Sequence, residues 1–165
     1  RTRFISALVS LVNTPVAGAA PLAQEALATF YTRWKQEPLA VNLWLQIQAG
    51  AMPPGGLERV QALLNHEAFD MRNPNKVRSL IGAFCSINAV NFHRADGAGY
   101  QFLADKILEL NKLNPQIAAR QLTPLTRWRK YPAQAAALMK AQLQRIKDAP
   151  DLSPDVFEVV SKSLV

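Results

Sequence analysis

The sequence predicts an all-α chain, a right-handed solenoid-like array of antiparallel helix pairs of the HEAT/armadillo kind. Three observations lead there. Apolar residues recur at helical spacing through most of the 165 residues, and nothing of length alternates with the period of two that marks a half-buried strand. The run Asn73-Pro74-Asn75-Lys76-Val77-Arg78-Ser79-Leu80-Ile81-Gly82-Ala83-Phe84 is echoed 41 residues later by Asn114-Pro115-Gln116-Ile117-Ala118-Ala119-Arg120. One helix start per unit of about 40 residues is the period of stacked helix pairs. The breaks between periodic stretches are short, and short connections between helices imply antiparallel neighbours.

In chain order, the pattern predicts helices at about 2–12, 19–34, 38–49, 55–64, 74–88, 99–112, 115–129, 133–147 and 154–163. Pro15, Gly18, Pro38, Pro53-Pro54-Gly55-Gly56, Asp96-Gly97, Pro132 and Pro150 punctuate them. At Asn73-Pro74 and Asn114-Pro115 an asparagine can cap the helix, while proline occupies the first helical position, where its missing N–H costs nothing. Ser153-Pro154-Asp155 opens the last helix in the same way and adds an acid that the helix dipole favours. Within 74–88, Val77, Leu80, Ile81 and Phe84 form one apolar stripe, with Arg78 beside it; Tyr100, Leu103, Ile107 and Leu110 form the stripe of the next helix. In 115–129, Arg120, Thr123 and Arg127 share a face distinct from Leu122, Leu125 and Trp128. Pro124 has no N–H for the carbonyl of Arg120, so that helix is expected to bend. No break is long enough for a domain linker, and 1–165 reads as a single helical domain.

Composition narrows the functional classes. Hydrophobic residues make up 49% of the chain, too many for a disordered tail. No apolar run approaches the roughly 20 residues that cross a bilayer. The opening Arg1-Thr2-Arg3-Phe4 lacks the apolar core of a signal peptide, and the chain starts without methionine inside an amphipathic pattern (Phe4, Leu8, Leu11, Val12). A fragment of a longer cytoplasmic protein is the expectation, and a single cysteine, Cys85, fits a reducing compartment. Charge is uneven: residues 71–147 carry thirteen basic and three acidic side chains within a net +7 for the whole chain. Such a field attracts nucleic acid, anionic membrane or a peptide carboxylate, or is simply a solvated face.

Motifs for chemistry are sparse. His66-Glu67-Ala68-Phe69-Asp70 begins like a zincin helix, but aspartate stands where the second histidine belongs and no third ligand follows. His93 and Asp96 lie in a glycine-containing segment that turn formation and capping explain. Cys85 has no partner for nucleophilic catalysis and reads as a buried thiol. Arg127-Trp128-Arg129-Lys130-Tyr131 has the composition of a stacking platform for single-stranded nucleic acid, yet Trp128 falls with the core at helical spacing. No catalytic or metal-ligating set emerges.

Longer stretches carry a family likeness: Phe30-Tyr31-Thr32-Arg33-Trp34-Lys35, Leu57-Glu58-Arg59-Val60-Gln61-Ala62-Leu63-Leu64, and Phe69-Asp70-Met71-Arg72 running into the Asn73–Phe84 segment. Asn91-Phe92-His93, Asp96-Gly97-Ala98-Gly99-Tyr100, Leu110-Asn111 and Asn114-Pro115-Gln116 to Arg120 continue it. In these stretches the sequence resembles the C-terminal helical domain of the bacterial aminopeptidase N family of zinc metallopeptidases. The resemblance implies a noncatalytic fragment whose parent is a zinc-dependent aminopeptidase, with zinc and the active-site motifs in an upstream domain. It implies that the domain caps the active-site chamber, that its partners are the upstream catalytic domain and peptide substrates, and that membrane and nucleic acid are not among them. Arg78 and Arg120 match the family pattern and become candidate substrate-binding residues for a peptide backbone or C-terminal carboxylate. Read from spacing alone, the same arginines can instead pair with carboxylates of the same or an adjoining domain. A different class stays open beside this one, an independent HEAT-like scaffold that binds protein or nucleic acid through its basic face, which steep salt dependence of nucleic-acid affinity would favour.

Overall fold

The computed structural model describes residues 2–16 and 18–165. Arg1, where the single domain was expected to begin, and Ala17 lie outside the described residues. Among the described residues the regular structure is entirely helical: α1 Thr2–Asn13, α2 Ala19–Trp34, α3 Pro38–Ala49, α4 Gly56–Leu64, α5 Pro74–Val77, a π-helical turn Arg78–Gly82, α6 Ala83–Ile87, α7 Ala89–Phe92, α8 Ala98–Leu113, α9 Pro115–Gln121, α10 Thr123–Thr126, a 3₁₀ turn Trp128–Lys130, α11 Ala133–Lys147 and α12 Pro154–Leu164. The fold class is the all-α, solenoid-like one. The chain divides into two compact units, Arg1–Asn91 and Phe92–Val165.

The caps form as local chemistry dictates. Asn73 accepts from the backbone N–H groups of Asn75 and Lys76, Asn114 from that of Ile117, and Ser153 from that of Val156, each with proline in the first turn. Gly97 precedes α8 at φ 77°, a left-handed conformation open to glycine at little cost. Two positions on, Gly99 lets the helix start lie against the chain: a Cβ there would sit 2.0 Å from the carbonyl oxygen of Phe92.

In the first unit α3 is central, packing against α2, α4 and the π turn. Its Trp44 is buried and donates from Nε1 to the carbonyl of Leu27 at 2.9 Å. Val77, Leu80, Ile81 and Phe84 all point into this core. Burying each is worth about 1.5–3 kcal/mol, which explains why the stripe stands out in the sequence. In the second unit α8 packs against α9 and α11, and α12 against α9 and α11. Tyr100, Leu103, Ile107 and Leu110 are buried there with Leu122, Leu125, Leu143 and Val160.

Buried asparagines tie the helix corners. Asn88 Nδ2 donates to the carbonyls of Ala49 and Ala51 at 2.9 and 2.8 Å. Its Oδ1 accepts from the backbone N–H of Asn91 and so caps α7, a short helix absent from the expected elements. Asn91 Nδ2 reaches the carbonyls of Met52 and Pro53 at 3.1 and 3.2 Å. In the second unit Asn111 does the same work, donating to the carbonyl of Asp151 at 3.1 Å and accepting from the N–H of Ser153 at 2.8 Å. The ties to these carbonyls and to the N–H of Ser153 span 37–42 residues, close to the period of the repeated Asn-Pro starts.

Two expectations are corrected. The helix expected over 74–88 contains the π turn, in which the N–H of Ala83 bonds to the carbonyl of Arg78. The helix expected over 115–129 with a bend is instead three pieces, broken at Leu122 and again at Arg127. Pro124 removes the donor for the Arg120 carbonyl, and Thr123 Oγ1 supplies a replacement at 3.0 Å, which favours a new start over a bent continuation.

Candidate functional site

The Asn73 corner carries two basic residues, Lys76 and Arg78, in the first unit. Capping by Asn73 sets the direction of α5, and Arg78 opens the π turn that follows. π turns interrupt helices frequently at functional positions. Arg78 is exposed, and its guanidinium donates to the side-chain oxygen of Asn75. Lys76 projects elsewhere: its Nζ donates to Asn42 Oδ1 on α3 at 2.8 Å, in a partly buried setting, and desolvation pushes the ammonium pKa down. The spacing of residues in sequence offered no signal for this pair, whose members are 34 positions apart.

Arg120 sits in the last turn of α9, in the second unit, and is exposed. Thr123 and Arg127 are exposed with it and Leu122 and Leu125 are buried, whereas Trp128, expected on the buried side with them, is half-buried in the 3₁₀ turn beyond the break. Among the described residues neither Arg78 nor Arg120 pairs with a carboxylate; ion pairs that do form include Arg94–Asp96, Lys106–Glu109, Arg145–Asp105 and Lys162–Glu158.

The remaining polar motifs are held in structural roles. His66 packs edge-on against Tyr31 at 4.9 Å and lies 5.0 Å from the Trp44 ring; its Nδ1 accepts from the N–H of Ala68. Glu67 accepts from the Tyr31 hydroxyl at 2.8 Å. His93 stacks on Tyr131 with ring centres 4.4 Å apart and shares a 2.7 Å hydrogen bond with the Tyr100 hydroxyl. Burial lowers its pKa. Asp96 is gripped by Arg94 and accepts from the N–H of Ala98, which hold its carboxyl down at about 2. Cys85 is buried, and burial drives its thiol pKa up, so it stays protonated. Trp128 donates to the carbonyl of Ser163 and already carries the guanidinium of Arg129 at 4.2 Å and the ammonium of Lys140 at 5.1 Å over its ring. A base has little of that surface left to stack on.

The first unit also holds a largely apolar cavity of about 620 Å³ between the end of α1, α2 and the 51–54 loop. Arg59 at its edge spends its terminal nitrogens on the carbonyls of Ala51, Pro53 and Pro54, so it pins the loop. Among the described residues no three His, Cys, Asp or Glu side chains converge to hold a metal ion, and the residues present do not fit a zinc site. Nor is any described helix long and apolar enough to cross a membrane.

Helix corners clasped by asparagines at a period of about 40 residues, in regular structure that is all helical among the described residues, define the class: an all-α repeat domain of the ARM kind. Residues 2–165 match the domain family of unknown function DUF3458_C, described as ARM repeats, and the chain belongs to that family. It is 44% identical over 141 residues to "Aminopeptidase N" of Caulobacter vibrioides, covering 86% of this chain and 16% of the relative. To the protein of the same name from Escherichia coli it is 37% identical over 156 residues, covering 94% and 18%. Among solved structures it is similar to Legionella pneumophila aminopeptidase A in complex with aspartic acid, at TM-score 0.89 and 39% identity over 97% of this chain and 18% of that one. The chain thus corresponds to the C-terminal domain of aminopeptidase N-like proteins and spans 16–18% of the length of these relatives.

Proposed function

We propose that this chain is the noncatalytic helical domain of a cytoplasmic, zinc-dependent aminopeptidase, and that it walls the chamber in which peptides meet a catalytic domain elsewhere in the same polypeptide. The observation that carries the proposal is a pair of exposed guanidiniums, Arg78 and Arg120, with no carboxylate partner among the described residues. An arginine left unpaired on a peptidase domain is suited to a peptide carbonyl or C-terminal carboxylate, which its planar fork binds through two hydrogen bonds. In this reading zinc chemistry belongs to the rest of the protein, and among the described residues no three His, Cys, Asp or Glu side chains converge to hold a metal ion. The domain's work is then access and hold, with each arginine acting on a part of the substrate remote from the bond that is cut.

The test is Arg120→Ala in the full-length protein, comparing kcat/KM for a small amino-acid anilide with that for a longer peptide. A loss of roughly tenfold on the peptide, the order expected for one charge-assisted contact, with the anilide unaffected, supports the reading. Near-native values on both substrates would refute it and leave Arg120 a surface residue.

A further inference from the structure

Lys76 differs from the exposed cations around it. It is partly buried, it belongs to α5, and its ammonium is braced by Asn42 of the neighbouring α3 at 2.8 Å. Among the described residues no carboxylate pairs with it, and the sequence has no acidic residue from Met71 through Ala95. A cation partly withdrawn from water without a counter-charge carries part of the desolvation cost of burial, and a carboxylate is the usual compensation.

The hydrogen bonding says what faces outward. Lysine has three donors and no acceptor, so Asn42 can meet it only through its carbonyl oxygen. The amide nitrogen of Asn42 is therefore turned away from the ammonium, and it makes no bond with any described residue. Two protons of Lys76 and two of Asn42 remain, on two different elements, around one unneutralised positive charge. Arg78 does not complete this group, since residues two apart lie roughly 200° around a helix from one another.

We propose that Lys76 and Asn42 form a carboxylate-binding subsite that takes the C-terminal carboxylate of a peptide. The inference rests on the reading of this domain as a chamber wall and adds to it a second point of hold, separate from Arg78 and Arg120. Lys76 supplies the charge, and Asn42 both positions the ammonium and donates to the second carboxylate oxygen. Amidated peptides lose the ion pair and keep only hydrogen bonds to an uncharged carbonyl.

The experiment uses the full-length protein and one hexapeptide in two forms, with a free C-terminal carboxylate and as the C-terminal amide. The unsubstituted protein should show the lower KM for the acid. Lys76→Met should raise KM for the acid roughly tenfold more than for the amide. Asn42→Asp should do likewise while preserving the bridge between α3 and α5, because the new carboxylate pairs with the ammonium from within. A bridge with only a structural role would survive Asn42→Asp with no change in acid-over-amide preference, and that result overturns the proposal. So does the absence of any preference in the unsubstituted protein. If Arg120→Ala shows its selective loss on long peptides while Lys76→Met leaves the preference intact, the subsite alone fails. If Arg120→Ala is neutral, the chamber reading fails and takes the subsite with it.

Discussion

Replacing Asn88 by alanine should destabilise the first unit more than any exposed substitution can. Asn88 is 0% exposed, and its side chain makes four hydrogen bonds: two to the carbonyls of Ala49 and Ala51, two from the backbone and side-chain N–H groups of Asn91. In the alanine variant Ala51 keeps a donor, because Arg59 also reaches its carbonyl at 3.1 Å. The carbonyl of Ala49 and the N–H of Asn91 do not. Each buried group stripped of its partner costs about 1–3 kcal/mol, and the vacated volume adds to that, for a total of about 3–5 kcal/mol. Equilibrium urea unfolding followed by tryptophan fluorescence reads this directly, as Trp34 and Trp44 both belong to this unit. With a slope near 2 kcal/mol/M, the midpoint should fall by roughly 2 M. Asn65→Ala is the control: Asn65 is exposed, and its loss should stay within about 0.5 kcal/mol. A cost below about 1 kcal/mol for Asn88→Ala would refute the assignment of these corner carbonyls to Asn88.

Two further outcomes are expected. Gly99→Ala should be among the most damaging single-methyl additions in the chain, at more than about 3 kcal/mol, because the new Cβ meets backbone atoms of Phe92 at 2.0–3.0 Å; a thermal melt within a degree or two of the parent would contradict this. Stability should also fall as pH drops through the ordinary histidine value of 6.5, since burial depresses the folded pKa of His93. Over that interval the unfolded chain takes up a proton that the folded chain does not, and the loss levels off once pH passes below the folded value. Urea midpoints at about pH 7.5 and 5.5 measure it, and His93→Gln should remove that share of the difference; an unchanged difference in the variant would show that His93 is not its source.

What the sequence announced was local. Asn73-Pro74, Asn114-Pro115 and Ser153-Pro154 are legible because a cap and an N1 proline act within one turn, and the stripes of Val77 to Phe84 and Tyr100 to Leu110 are legible because burial follows the helical period. The break at Leu122 was only half legible: the lost donor at Pro124 was visible, but not the hydroxyl of Thr123 that makes a fresh start cheaper than a bend. No propensity signals the π turn after Arg78. The structural ties of Asn88, Asn91 and Asn111 were hidden because an asparagine reads as a turn or cap residue unless its partners are known, and these lie about 40 positions away. Lys76 passed as one more charge in a basic stretch for the same reason. The candidate site is legible through the family likeness of the Asn73–Arg78 and Arg120 segments, whereas the pairing of Lys76 with Asn42, 34 positions apart, exists only in the folded chain.

The π turn at Arg78–Gly82 has a consequence for chain length. Such a turn takes up one residue more than an α turn, so the stretch 74–87 carries a spare position inside a helix. Losing one residue there would restore continuous α-helix while Asn73 and Asn88 kept their bearings, whereas the same loss in a regular helix would rotate everything beyond it by about 100°. Length change is ordinarily absorbed by loops. Here a deletion has a place to go in the middle of a core element, and relatives one residue shorter between positions 78 and 83 would retain both corners unchanged.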